Sequence, residues 1–169
     1  MFKMNFLKWR TDIALKKNKS LRASLPYQQA KNIGIIFSVE DKQKHADIKE
    51  FVNHLETDGK VVKVLEFLPK KKENYEFLFD FFTIHDLSFW GSINSQPAEK
   101  FSDTAFDYLF YVDNLSNPLI LNVLARCKAR CRVGKFSENE SAYFELMIEN
   151  KGTTKGLIDN MYKYAKQLK

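Results

Sequence analysis

The chain has 169 residues, of which 44% are hydrophobic and 28% are charged, the composition of an ordinary soluble globular protein. Its length accommodates one domain, and no apolar run is long enough to predict a membrane span. Lys and Arg interrupt the apolar residues at the start of the chain, so the sequence predicts no secretory signal peptide. With only two cysteines, these features favour a cytoplasmic protein.

The excess positive charge lies at the amino terminus. The formal net charge is +6, from 27 Lys and Arg against 21 Asp and Glu. Residues 1–22 contain seven basic side chains and one acidic side chain, which leaves 20 of each sign in the rest of the chain. The sequence therefore predicts a basic arm, residues 1–25, followed by one neutral domain, residues 26–169.

Two rows of side chains run along a helix predicted in the arm. The apolar row has the helical spacing i, i+4, i+7, i+11 and consists of Phe2, Phe6, Trp9 and Ile13. The basic row recurs every seven residues and consists of Lys3, Arg10 and Lys17. The residues that we expect to bind a partner are Lys3, Phe6, Trp9, Arg10, Ile13 and Lys17. The pattern leaves the partner open among the chain's own domain, a second subunit, a weakly bound anionic membrane surface and nucleic acid.

The rest of the chain alternates strand and helix patterns. Strands are predicted at 32–39, 60–68, 77–82, 106–112, 130–136 and 142–148, and helices at 41–58, 97–104, about 118–128 and 153–168. This alternation predicts an α/β fold: a three-layer, mostly parallel sheet of the Rossmann-like or flavodoxin-like type. The short loop "SENES" before the last strand predicts an antiparallel edge hairpin, because a parallel crossover needs more residues.

The stretch "LARCKARCRVGKF", residues 124–136, is interpreted as a helix-to-strand junction. Its C-x-x-x-C spacing is neither the C-x-x-C of redox sites nor a zinc pattern, so Cys127 and Cys131 are predicted to be structural core residues. No metal site is expected. The basic side chains of this stretch are expected to lie at the edge of the sheet with their charged ends in solvent; they are Arg126, Lys128, Arg130 and Arg132.

Polar residues at the predicted strand ends are the candidate ligand site, because ligands of open parallel sheets bind there. These residues are Ser38, Asp86, Asp113 and Asn114. No G-x-G-x-x-G and no P-loop motif accompanies them, so no cofactor is expected. Ordinary turn and capping roles are the alternative for Asp86 and Asp113. No catalytic residue is identified.

The aromatic residues between Tyr75 and Trp90 form a separate group that contains no Lys or Arg. Single-strand nucleic-acid binders combine stacking aromatics with basic residues, so this group is interpreted as packing. Where its side chains are exposed, a protein partner is favoured over nucleic acid.

The segments "FFTIHDLSFWG", "FDYLFYVDNLSNPL", "ARCKARCRVGKF" and "YFELMIE" resemble a family of small bacterial proteins of unknown function. The resemblance covers most of residues 30–165 and implies a basic start followed by an α/β body, with no activity attached. "ARCKARCRVGKF" also resembles the Rossmann-like half of heptosyltransferase-type glycosyltransferases. The donor-binding domain of those enzymes is missing here, so no catalytic residue is carried over.

Two functions follow from these patterns, and the sequence does not decide between them. The first is a non-catalytic protein that binds a macromolecular partner or a second subunit through the basic arm. The alternative is a domain that binds a small ligand, such as a nucleotide or nucleotide sugar, at the strand ends and resembles a transferase.

Overall fold

The structure is a computed structural model that describes residues 1–75 and 79–169. In these residues five α-helices occur: α1 (Phe2–Lys17), α2 (Lys42–Thr57), α3 (Gln96–Asp103), α4 (Pro118–Arg126) and α5 (Thr154–Ala165). The strands are β1 (Asn32–Ser38), β2 (Val61–Phe67), β3 (Asp80–Phe82), β4 (Tyr108–Tyr111), β5 (Cys131–Lys135) and β6 (Leu146–Ile148). The predicted strand at 77–82 is present from Asp80, and its positions 77 and 78 lie outside the described residues. None of the helices in the described ranges is long and apolar enough to span a membrane.

The six strands form one sheet in the order β3-β2-β1-β4-β5-β6, and every neighbouring pair is parallel. This is the strand order of the Rossmann fold, in which the direction of winding reverses between the first and fourth strands. The α/β class and the three-layer Rossmann-like architecture are thereby confirmed.

The predicted antiparallel edge hairpin is wrong. β6 pairs with β5 in parallel, with Val133 opposite Leu146 and Lys135 opposite Ile148. The strand begins at Leu146 rather than at residue 142, and a 3₁₀-helix, Glu138–Tyr143, occupies part of the connection. Residues 136–145 therefore provide the crossover that the five-residue loop alone could not.

The central strand β1 shows why the sequence folds this way. Ile33, Ile35, Ile36 and Phe37 are completely buried, because helices cover both faces of the sheet. On one face the core contains residues of α3 and α4 together with Leu7 of α1. On the other face it contains residues of α2 and α5. A continuous β-branched run suits a strand in this position.

Arg132 corrects a second expectation. The side chain was expected at the edge of the sheet, but β5 lies between β4 and β6 and Arg132 is completely buried. Its guanidinium Nη2 donates to the carbonyl of Cys127 at the end of α4, at 3.0 Å. Burial lowers the pKa of this arginine, and a positive charge beside the last carbonyls of a helix is favourable.

Candidate functional site

The basic arm folds as α1 and lies against α4 of its own domain. Leu7 and Thr11, one helical turn apart, are buried at 1% and 4% exposure. The Thr11 hydroxyl donates to the Leu7 carbonyl at 2.7 Å and accepts from Asn122 Nδ2 on α4 at 2.9 Å. Just after α1, Asn18 Nδ2 donates to the carbonyl of Ala125, near the end of α4, at 3.0 Å. Side-chain hydrogen bonds thus hold α1 against both the middle and the end of α4.

The apolar row of α1 does not face the domain. Phe2, Trp9 and Ile13 are 69%, 59% and 47% exposed, whereas Leu7 and Thr11 make the buried contact. The exposed apolar row and the buried pair Leu7 and Thr11 both have helical spacing. Periodicity therefore predicted the helix correctly but did not determine which of its sides faces the domain. The structure thus leaves a row of large apolar side chains in solvent next to the basic row.

A tight turn, residues 88–91, extends this exposed surface. Phe89 and Trp90 are 55% and 62% exposed, the Trp90 ring meets Phe6 edge-on at 5.4 Å, and its carbonyl accepts from Arg10 Nε at 2.9 Å. Gly91 closes the turn with φ +72°, and a Cβ there would stand 2.4 Å from the backbone nitrogen of Leu7. Glycine is therefore required for the turn to approach α1 this closely.

The α1 groove lies between α1, residues 91–94, α3 and α4, and encloses about 730 Å³. Its wall on α1 contains four of the residues predicted to bind a partner: Trp9, Arg10, Ile13 and Lys17. Phe6 joins the surface through Trp90, and Lys3 continues the basic row toward the amino terminus. Sequence reasoning missed the opposite wall, which includes Glu99, Ser102, Asp103, Asn122, Arg126 and Lys128.

Basic side chains predominate in the α1 groove. Arg10, Lys17, Arg126 and Lys128 line it, against the acidic Glu99 and Asp103. Lys128 Nζ and Asp103 are 3.5 Å apart, and both side chains are more than half exposed, so this ion pair is weak. The other cations that line the groove, outside this ion pair, are Arg10 and Lys17 on α1 and Arg126 at the end of α4.

The predicted ligand residues Ser38 and Asp113 meet between β1 and β4, where the strand order reverses. The Asp113 carboxylate accepts from the Ser38 amide at 2.9 and 3.1 Å and from Lys44 Nζ at 2.6 Å. The side chains of Asp113 and Lys44 are each 2% exposed. Burial raises the pKa of Asp113, and the hydrogen-bonded Lys44 opposes that rise. Lys44, on α2, was not identified from the sequence.

The amino terminus of α2 is also engaged by this chain's own side chains. Asp41 caps α2 by accepting from the Lys44 amide at 2.8 Å, at the helix end where Rossmann domains hold a pyrophosphate. Its carboxylate supplies the negative charge that such a helix end favours. The Asp41 cap and the Lys44–Asp113 ion pair thus provide these polar groups at the strand-order reversal with partners from the chain itself.

Asn114 lies beside that cluster, and Asp86 lies apart from it. Asn114 Oδ1 accepts from Asn150 Nδ2 at 3.0 Å, and Asn114 and Asp113 line a cavity of about 370 Å³ at the ends of β4 and β5. Asp86 follows the edge strand β3 and forms a capping box with Thr83, whose amide donates to it at 2.7 Å. The structure therefore brings Ser38, Asp113 and Asn114 to neighbouring strand ends and leaves Asp86 at the far edge.

The two cysteines are buried and free. Burial raises the pKa of both thiols, of Cys127 and of Cys131, to about 12, which favours the protonated thiol at neutral pH. Within residues 1–75 and 79–169, no group of three or more His, Cys, Asp and Glu side chains could hold a metal ion. Both cysteines therefore lie in the core, as predicted.

Comparison with protein families gives one match across nearly the whole chain. The model of a family of unknown function, DUF6913, matches residues 3–168. Comparison with the curated proteins gives no match. The predicted resemblance to a family without an assigned activity is confirmed, and the likeness to heptosyltransferase-type enzymes is not.

Proposed function

The chain belongs to the DUF6913 family of unknown function, and for this member we propose a non-catalytic role, the binding of another macromolecule through the α1 groove. The observation that carries the proposal is the exposure of the apolar row of α1 together with Phe89 and Trp90. Large contiguous apolar surfaces on a folded domain mark interaction sites. Aromatic residues and Arg are also the side chains enriched at protein interfaces.

The way in which α1 is held supports this role. Leu7, Thr11 and Gly91 fix the helix from its buried side, so that Trp9 and Ile13 are presented on a rigid element. A rigid binding surface loses little conformational entropy when a partner docks. The two free cysteines support the further proposal that this binding occurs in the cytoplasm.

The test compares two variants with the same change in charge. Ile13→Asp with Lys17→Glu alters the α1 groove, whereas Tyr164→Asp with Lys163→Glu alters α5 on the opposite face of the sheet. Ile13 and Tyr164 are similarly exposed, at 47% and 43%. We expect a partner, or a second subunit seen by sedimentation, to bind the wild type and the α5 variant and to be lost from the groove variant. Equal binding by all three proteins would overturn the proposal.

A second candidate function is supported by the cavity at the ends of β4 and β5. It contains Asp113 and Asn114, two of the predicted ligand residues, together with Lys135. A small ligand there should raise the melting temperature in a screen of nucleotides, nucleotide sugars and phosphorylated metabolites. A hit that Asn114→Ala abolishes would support this function, and a silent screen would count against it.

A further inference from the structure

We infer that the occupant of the α1 groove is an extended acidic segment of polypeptide with an apolar side chain between its carboxylates. The inference rests on the proposed function and names the partner's chemistry. Three features of the groove support it: the apolar wall, the placement of the cations, and the acidic residues of the facing wall.

The apolar wall consists of Trp9 and Ile13, which line the groove one helical turn apart and are about half exposed. Four residues of helix correspond to a rise of about 6 Å. A leucine or phenylalanine side chain lying between the two would cover both. Such a contact buries the aromatic and aliphatic surface that this wall leaves in solvent.

Two cations of α1 lie beside that wall. Arg10 follows Trp9 and donates to the carbonyl of Trp90, and Lys17 lies one helical turn beyond Ile13. Asn18 donates to the carbonyls of Ala125 and Arg126, which brings the end of α4 next to the end of α1. Seven residues of helix separate Arg10 from Lys17, about 10.5 Å, which is about three residues of extended chain. Two carboxylates about three residues apart in an extended chain would therefore reach these two cations.

The facing wall argues against a polyanion with phosphates at every position. Glu99 and Asp103, on α3, also line the groove, so a backbone with a phosphate at every position would meet their charges, whereas a segment with two spaced carboxylates can avoid them.

The chain provides a selective optical signal for this test. Its two tryptophans are Trp9 and Trp90, and both are exposed at this surface. Burial of either ring shifts its emission to shorter wavelength, so the intrinsic fluorescence of the full chain reports on the groove. The probe is a short capped peptide with two aspartates three positions apart and leucines between them. The same peptide with asparagines is the matched control.

We expect a saturable shift with the aspartate peptide that weakens as salt is raised, because the carboxylates are paired with exposed cations. Lys17→Glu and Arg126→Glu should each weaken binding by about threefold or more, since each replaces an attraction between exposed charges with a repulsion. Lys163→Glu, on α5, should leave the affinity unchanged. Equal binding of the asparagine peptide, or no shift at millimolar peptide, would overturn the inference.

The same fluorescence measurement tests other occupants of the α1 groove. Vesicles that contain phosphatidylserine, a single-stranded oligonucleotide, and the protein alone at increasing concentration are each tested for the same shift. A shift caused by one of these, without one caused by the aspartate peptide, would overturn the acidic segment and leave the groove as a binding surface. If the variant in Ile13 and Lys17 binds every partner of the wild type, the proposed function fails as well.

Discussion

The hydroxyl of Thr11 on α1 accepts a hydrogen bond of 2.9 Å from the side-chain amide of Asn122 on α4, across 111 residues of sequence. Asn122 is 2% exposed and Thr11 is 4% exposed. A buried amide that lacks an acceptor is costly, so this bond specifies one seating of α1 on the domain. The seating in turn determines which side of α1 faces solvent and forms the groove.

Replacing Thr11 by Val should weaken that seating. Valine keeps the shape of the side chain but removes the acceptor, and the buried Asn122 amide then loses its partner. We expect the free energy of unfolding in urea to fall by about 1–3 kcal/mol. The matched control is Thr57→Val, since the Thr57 hydroxyl also bonds the carbonyl one turn back, at 2.8 Å, but in an exposed position. The control should change stability by about 0.5 kcal/mol or less, and equal losses would contradict the role given to Asn122.

Replacing Gly91 by Ala should displace α1 from the turn at residues 88–91. The new Cβ would lie 2.4 Å from the Leu7 backbone nitrogen, and backbone cannot yield as a flexible side chain can. Gly59→Ala is the control, because Gly59 has a similar φ of +80° and nothing within 4 Å of the added atom. Gly59→Ala should cost about 1–2 kcal/mol from backbone conformation alone. Gly91→Ala should cost more and should also make the arm sensitive to trypsin; equal losses with a protected arm would refute the close approach.

The arrangement of strands and helices could be predicted largely because burial follows local pattern. The run Ile33–Phe37 is apolar without a break, and it occupies a strand that helices cover on both faces. The hairpin prediction is wrong because the last strand begins at Leu146 and not at residue 142, which lengthens its connection enough for a parallel crossover. Arg132 was misplaced for a related reason: β6 makes β5 an interior strand, and pairing between strands cannot be read from either strand alone.

In the candidate sites too, local sequence pattern identified some residues, whereas others come together only through contacts between distant parts of the sequence. Helical spacing identified four residues on the α1 wall of the groove, but Glu99 and Arg126 reach it only through the packing of α3 and α4. Ser38 and Asp113 were both chosen as strand ends, and the register of β1 with β4 brings them together. Their partner Lys44 lies inside a helix, where its sequence context resembles that of any exposed lysine.

Replacing Asp113 by Asn should be strongly destabilising, because it leaves the Lys44 ammonium buried without its nearest counter-charge. Loss of one partner of a buried pair costs about 3–5 kcal/mol. Glu40, 3.0 Å from Lys44 and about half exposed, should reduce the loss only in part. Urea unfolding provides the measurement, and Asp159→Asn, which breaks an exposed ion pair with Lys155, is the control.

A double variant distinguishes the cost of the unpaired Lys44 charge from the cost of altered hydrogen bonds to the Ser38 amide. Lys44→Met combined with Asp113→Asn removes both charges and should recover part of the stability lost by Asp113→Asn alone. If the double variant is no more stable than the single one, the cost lies elsewhere than in the unpaired Lys44. The Lys44–Asp113 pair would then not be what holds the strand-order reversal together.

Replacing Glu66 by Gln should change how stability depends on pH. The Glu66 carboxylate and His45 Nε2 are 2.8 Å apart, both side chains are completely buried, and Oε1 of Glu66 has no hydrogen-bond partner among the described residues. Burial raises the pKa of Glu66 above its ordinary value of 4.5, with the hydrogen bond from His45 opposing that rise. The folded protein therefore binds this proton more tightly than the unfolded chain does.

The sign of the effect follows from that shift. Below pH 4.5 the protonated carboxyl contributes its full stability, and this contribution is lost as the pH rises from 4.5 through the raised pKa of the folded protein. The glutamine that replaces Glu66 cannot ionise, so the stability of the variant relative to the wild type should increase with pH across that interval and then level off. Urea unfolding of both proteins over a pH series measures the difference. A difference that falls with rising pH would mean that the folded protein favours the ionised carboxylate, contrary to this prediction.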